Sequence, residues 1–232
     1  MRRRPKTVEF WVGRLPHWEV EEGRYFVTIH LAGAIPDAGR RRIRGLAQEL
    51  QVDKVAGDAN LQVHRQVFTE MERWLDRAPC VEHLTRPAVA ETVIEAIEHR
   101  AANNIWRMFE SVLMPNHVHL FFELVKPGLK RVLEDFKRWT GRHASAILDL
   151  DERARFWQRE WFDHWSRSDE EDDRIVRYIA QNPGKASLVK TDNDWKWRFP
   201  KRGASVRSSS TTNSPSPAQT TVEVPSGRRD LP

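Results

Sequence analysis

Two apolar runs, residues 105–113 and 117–125, the second opening on a histidine, are separated only by Met114-Pro115-Asn116. Two such runs across a Pro-Asn break predict a pair of antiparallel strands joined by a short turn. The second run begins with His117-Val118-His119. Alternate residues of a strand project to one face, so the two imidazoles point the same way. Leu120-Phe121-Phe122 continues the strand apolar on both faces, which sets two hydrophilic rings inside an otherwise buried element. Such a pair suits a shared metal ion or two half-exposed sheet histidines, and spacing alone leaves both readings open.

The other elements follow from pattern. Residues 25–31, rich in β-formers between Gly23 and Gly33, predict a strand. Pro36-Asp37 opens a helix to about Leu50, and a second helix covers 62–77 with Val63, Val67, Met71, Trp74 and Leu75 on one stripe. Pro87 starts a third. A fourth runs over 129–148, and a last amphipathic helix over 170–181 stops at Pro183-Gly184. Paired strands with helices beside them, and no regular βα alternation, predict an α+β fold with an antiparallel sheet flanked by helices.

Charge qualifies any nucleic-acid reading. The chain has 232 residues and a net charge of +5. Arg2, Arg3, Arg4 and Lys6 lie at the start, and 201–232 holds five basic against two acidic residues. The body, 7–200, is left with 29 basic and 31 acidic residues, so a nucleic-acid surface there has to be a local patch. Ser, Thr and Pro fill 15 of the 32 positions of 201–232, which contain no aromatic residue, so a disordered tail is expected there. A basic N-terminal arm is expected over 1–13 and one domain over 14–200. Cys80 is the only cysteine, which excludes a disulfide framework and suits a reducing compartment. With neither a secretory h-region after MRRRPKTVEF nor an apolar run of about 20 residues, a cytoplasmic location away from membranes is expected.

The last helix carries Tyr178 and Asn182, four residues apart and therefore on one face, beside a stripe of Ile175 and Ile179. On spacing alone Tyr178 reads as a packing residue and Asn182 as a helix end before Pro183. The wider strings add to this. MPNHVHLFFEL, followed some sixty residues later by YIAQNPGKASLV, resembles the HUH single-tyrosine transposases, above all the REP-associated tyrosine transposases of bacteria. LPHWEVEEGRYFVTIHLAGAIP, WLDRAPCVEHLTRPAVAETV and FWQREWFDHWSRSDEEDDRIVRYI are also similar, so the resemblance covers about 14–200. One departure is the loop after the helix, where the family's N-P-V-K-A-G-L-V reads N-P-G-K-A-S-L-V.

That resemblance implies a ferredoxin-like HUH sheet with the catalytic tyrosine on a C-terminal helix. It implies that His117, His119 and Asn182 hold a divalent metal, Mg²⁺ or Mn²⁺, and that Tyr178 attacks a DNA phosphate to give a 5′-phosphotyrosine and a free 3′-OH. Arg174 and Arg177 are candidates to assist the phenol. The implied substrate is single-stranded DNA hairpins of REP-like palindromes, handled in the bacterial nucleoid by a monomer or homodimer. Candidate phosphate contacts are Arg40, Arg41, Arg42 and Arg44 on the first long helix, and Lys130, Arg131, Lys137, Arg138 and Arg142 beside Trp139. Two alternatives stand beside this: a domesticated hairpin-binding protein without turnover, and a metal hydrolase. The hydrolase reading lacks a carboxylate near the histidine pair in sequence.

Overall fold

The computed structural model describes residues 6–13, 15–52, 58–77, 81–126 and 128–201. The chain divides into two units, Met1–Arg202 and Gly203–Pro232. The second lies outside the described residues, and with it nearly all of the expected tail; so does Cys80. No described helix is long and apolar enough to cross a membrane.

The elements run β1 (Thr7–Val12), β2 (Pro16–Val20), β3 (Arg24–His30), α1 (Asp37–Val52), α2 (Asp58–Leu75), α3 (Pro87–Ala102), β4 (Trp106–Leu113), β5 (His117–Leu124), α4 (Leu129–Leu148), β6 (Phe162–Trp165) and α5 (Asp169–Lys185). The fold is α+β. Its main sheet is antiparallel in the order β4-β5-β3-β6, and β1 and β2 form a separate two-stranded ribbon. Sequence patterning finds β3, β4, β5 and all five helices. It misses β1, β2 and β6. The first two alternate apolar residues, Val8/Phe10/Val12 and Pro16/Trp18/Val20, over only six and five positions, and β6 is four residues inside a run of charged and Trp residues. The described part of the expected N-terminal arm is therefore largely a strand.

β5 is central in the sheet and buried from His117 to Phe122. One of its faces carries Val118, Leu120 and Phe122. Phe122 meets Trp106 at 5.0 Å, and Trp106 meets Phe136 of α4 at 5.7 Å and donates its indole N–H to the Ile97 carbonyl of α3. This is the apolar core. The opposite face carries His117 and His119. The edge strand β4 is covered by residues 197–199, where Leu113 N–H donates to the Trp197 carbonyl and Phe199 N–H to the Ser111 carbonyl, so it offers no open edge there.

Two buried ionisable groups fasten the ribbon to the rest. Glu19 of β2 accepts the backbone N–H groups of Gly128 and Leu129, both at 2.8 Å, and so places a carboxylate on the N-terminus of α4. His17 is packed between Trp11 and Trp161, each 5.0 Å away, and bonds Asp163 of β6, with Glu160 at 3.5 Å. Burial works against a charged imidazole there, but Asp163 and Glu160 outweigh it and raise the His17 pKa to about 9. Because the folded value exceeds the ordinary 6.5, the stabilisation is full below pH 6.5 and is lost as pH rises through about 9. The melting-temperature gap between the wild-type chain and His17→Gln should therefore narrow between pH 6.5 and 9.5.

The end of α5 carries a correction. Pro183 does not stop the helix, which continues to Lys185, because a proline near the end removes only one N–H. The helix closes with Leu188 N–H donating to the Pro183 carbonyl and Ser187 N–H to the Gly184 carbonyl, a Schellman arrangement. Ser187 takes the left-handed conformation this requires, with φ 57°. It stands where the resembled family has glycine, so the loop keeps the turn at the expense of strain. Ser187→Gly should raise stability by about 1 kcal/mol, read from urea unfolding.

Candidate active site and metal centre

β5 sets His117 and His119 side by side, with their Nε2 atoms 3.0 Å apart. The far side of each ring is anchored. Asn116 donates its amide N–H to the Leu75 carbonyl at 2.9 Å, which turns its Oδ1 toward His117 Nδ1 at 2.6 Å. His117 Nδ1 must then carry the proton, and its Nε2 presents a lone pair toward His119. Thr28, opposite His119 on β3, meets His119 Nδ1 at 2.9 Å. Burial first, and His119 beside it, push the His117 pKa down to about 3, so this ring is neutral, the form that binds metals.

α2 brings a third group, Glu72. Its Oε2 is 3.4 Å from His119 Nε2 and accepts the Tyr178 hydroxyl. Its Oε1 is buried without a hydrogen-bond partner. Burial would push this carboxyl up, yet His119, His117 and the Tyr178 hydroxyl hold it below the ordinary range, so a carboxylate stands here. Ligand atoms of Glu72, His117 and His119 all lie within 4.8 Å of one another. Asn182, buried and one turn beyond Tyr178 on α5, sets its amide nitrogen 3.4 Å from His119 Nε2. A lone pair facing a second imidazole, an orphaned carboxylate oxygen and an adjacent amide fit a hard divalent cation such as Mg²⁺ or Mn²⁺.

Glu72 is the residue that sequence reasoning misses, and it corrects the expectation that no carboxylate stands near the pair. Its signal is slight: an acid at helical spacing from Phe68 and Leu75, on the flank of the α2 apolar stripe.

Tyr178 is half-buried, its ring 5.5 Å from His119, 5.9 Å from Phe26 and 5.7 Å from Phe68. Burial, then the Glu72 charge, push its phenol well above the usual tyrosine range. Lys185 Nζ lies 5.2 Å from its ring centroid, a cation that sequence reasoning did not pick out. Arg177 bonds the Asp173 carbonyl on its own helix, while exposed Arg174 lines a pocket beside Tyr178. The helix that carries Tyr178 starts on Ser168, whose hydroxyl accepts Glu171 N–H, with four acidic residues in its first turn.

Residues 80–182 match the family described as "Transposase IS200 like". Over this stretch the chain is similar to the IS200-like transposases. The match includes His117, His119, Tyr178 and Asn182; Glu72 lies before it. A solved structure of a REP-associated tyrosine transposase bound to a REP hairpin is similar, at 16% identity and TM-score 0.49, over 87% of this chain and 82% of that one. No match was found among curated proteins.

The candidate phosphate contacts are unevenly distributed. Arg40 pairs with Asp37, and Arg42 with Glu70 at 3.1 Å, while Arg41 and Arg44 are exposed. Lys130 and Arg131 are exposed at the start of α4. Lys137, Arg138 and Arg142 meet Arg155 and Arg159 around one groove of about 610 Å³. Within that groove Lys137 donates to the Arg159 carbonyl and lies 4.9 Å over Trp161, with burial lowering its pKa to about 8, and Arg138 pairs with Asp135. Trp139 is exposed and stacks on His143 at 3.9 Å.

The anchoring of His117 gives a direct test. Asn116→Ala removes the group that fixes its tautomer, and such outer partners change metal affinity about 10- to 100-fold. Calorimetric titration with Mn²⁺ should show a loss of that size, with the fold unchanged by circular dichroism.

Proposed function

We propose that this protein is a transposase that cuts and rejoins single-stranded DNA hairpins of palindromic repeats, in a metal-dependent reaction through a 5′-phosphotyrosine. The observation that carries the reading is the shared contact at Glu72, whose Oε2 takes the Tyr178 hydroxyl while lying 3.4 Å from His119 Nε2. The nucleophile and the candidate metal centre are thus one hydrogen-bonded unit. His117, His119 and Glu72 would hold the ion, with Asn182 beside them. Once bound there, it would withdraw charge from the phosphate and favour ionisation of nearby oxygens.

Each protein group then has a task. Glu72 Oε2 orients the Tyr178 hydroxyl and accepts its proton as the phenol oxygen attacks phosphorus. The bond from phosphorus to the 3′ oxygen of the upstream nucleotide breaks, and that oxygen leaves as a 3′-OH after taking up a proton. The downstream strand stays on Tyr178 through its 5′ phosphate. The link conserves the energy of the broken phosphodiester, so a 3′-OH can reverse the step without a nucleotide cofactor. The hairpin is the substrate that the sequence resemblance implies, and the groove between α4 and the following loop supplies cations for its backbone.

Tyr178→Phe should abolish the covalent adduct. Wild-type protein incubated with Mn²⁺ and 3′-labelled hairpin DNA should carry the label through denaturing electrophoresis; the variant should not. The ring contacts to Phe26 and Phe68 survive, but Glu72 loses a buried donor, so the variant should also be about 1–3 kcal/mol less stable. His117→Ala should stop cleavage while leaving gel-shift affinity for the hairpin nearly intact, since phosphate contacts dominate affinity. Persistence of the adduct in Tyr178→Phe would remove the tyrosine from its role.

A further inference from the structure

Beside Tyr178 lies a pocket of about 380 Å³. Its walls are aromatic. Phe68 meets Phe162 at 5.0 Å, Phe26 stands edge-on to Phe68 at 5.2 Å, and the Tyr178 ring closes one end. His64 lies 4.5 Å from Phe162, and burial holds its pKa near 3, so its ring is uncharged. His164 reaches Glu171 at 3.0 Å. Exposed Arg65 and Arg174 line the same pocket.

We propose that this pocket receives one unpaired nucleobase of the DNA strand, from a nucleotide adjoining the phosphate that Tyr178 attacks. The inference rests on the proposed role of Tyr178 and adds to it the group that sets cleavage position. Three features select this occupant. Phenyl faces favour a flat heterocycle, because stacking on aromatic rings needs a π-face. The two arginines favour a ligand joined to anionic groups, as a nucleotide is and an apolar small molecule is not. A paired base is already stacked on both faces inside a duplex, so only an unpaired one can enter. Tyr178 belongs to both compartments: its ring is a wall of the pocket and its hydroxyl touches Glu72. A nucleotide with its base among the phenyl rings has its phosphate close to the phenol oxygen, which is how a base that touches none of the candidate metal ligands would fix the bond that is cut.

The test scans a cleavable single-stranded hairpin substrate with one abasic site at each position near the cut. In wild-type protein one position should lower kcat/KM about tenfold, the size expected for loss of one stacked base. Phe68→Leu should lose about as much on intact DNA and nothing further at that abasic position, while Phe68→Tyr should behave as wild type. Equal abasic penalties in wild type and Phe68→Leu at every position would overturn the pocket. A binding arm keeps the two readings apart. With 2-aminopurine in place of single bases, the non-cleaving Tyr178→Phe variant should quench fluorescence at one position, and adding Phe68→Leu should relieve it. Quenching without cleavage by wild-type protein would sink the role of Tyr178 and keep the pocket. Uniform fluorescence alongside normal cleavage would do the reverse.

Discussion

The Glu72 carboxylate joins three elements through polar contacts: α2, which bears it, β5 through His119, and α5 through Tyr178. Holding an ionised carboxylate out of water is costly unless donors or cations meet it. Here burial pushes Glu72 toward its neutral form, and the imidazoles and the phenol hydroxyl reverse that balance. Its Oε1 nevertheless stays without a partner. Buried polar atoms left in that state are uncommon, and a water, a bound ion or a reacting group would satisfy this one. The same carboxylate raises the phenol it orients, so Tyr178 stays protonated at rest. In the role proposed for Tyr178, a nucleophile positioned but not ionised would be protected from premature reaction.

The rigidity of this arrangement comes from the sheet. His117 and His119 stand on a central strand whose opposite face is closed by Phe122, Trp106 and Phe136, so β5 has no room to slip by a residue. A slip of one would send both imidazoles into the apolar core. Asn116 and Thr28 then fix the rings about their own axes, one from the turn before β5 and one from the neighbouring strand. Site precision here is built from backbone pairing first and side-chain hydrogen bonds second, the order expected of a constellation carried on regular elements.

The parts legible in sequence are those whose physics is local. The turn at Met114-Pro115-Asn116, the two strands around it and the five helices follow from periodicity and turn residues, and Tyr178 and Asn182 share a face by spacing alone. The parts that were not legible depend on contacts between distant segments. Glu72 is an ordinary acid in a helical pattern until α2 packs over β5 and α5, 106 residues away from Tyr178 in the chain. Glu19 and His17 read as surface residues of a polar segment until the first caps α4 and the second meets Asp163. Basic residues mislead in the opposite way. Lys137, Arg138, Arg40 and Arg42 look like one class in sequence, but each of the four already bonds or pairs within the protein.

That partitioning bears on how DNA is held. A body with slightly more acidic than basic residues generates no long-range attraction of its own, so binding has to come from cations gathered at short range. The groove formed by α4 and the loop after it gathers five, but two of these are engaged inside the protein and contribute less than their charge suggests. Arg142, Arg155 and Arg159 are exposed beside Arg138, and Asp149, Asp151 and Glu152 share the same lining. The Tyr178 side of the molecule has a different character: aromatic walls with two exposed arginines suit stacking more than charge neutralisation. On the proposed reading, a groove that tracks backbone and an aromatic pocket that takes a base face would divide recognition between salt-dependent and salt-independent contacts, the first governing how tightly the strand is held and the second where along it the reacting phosphate comes to rest.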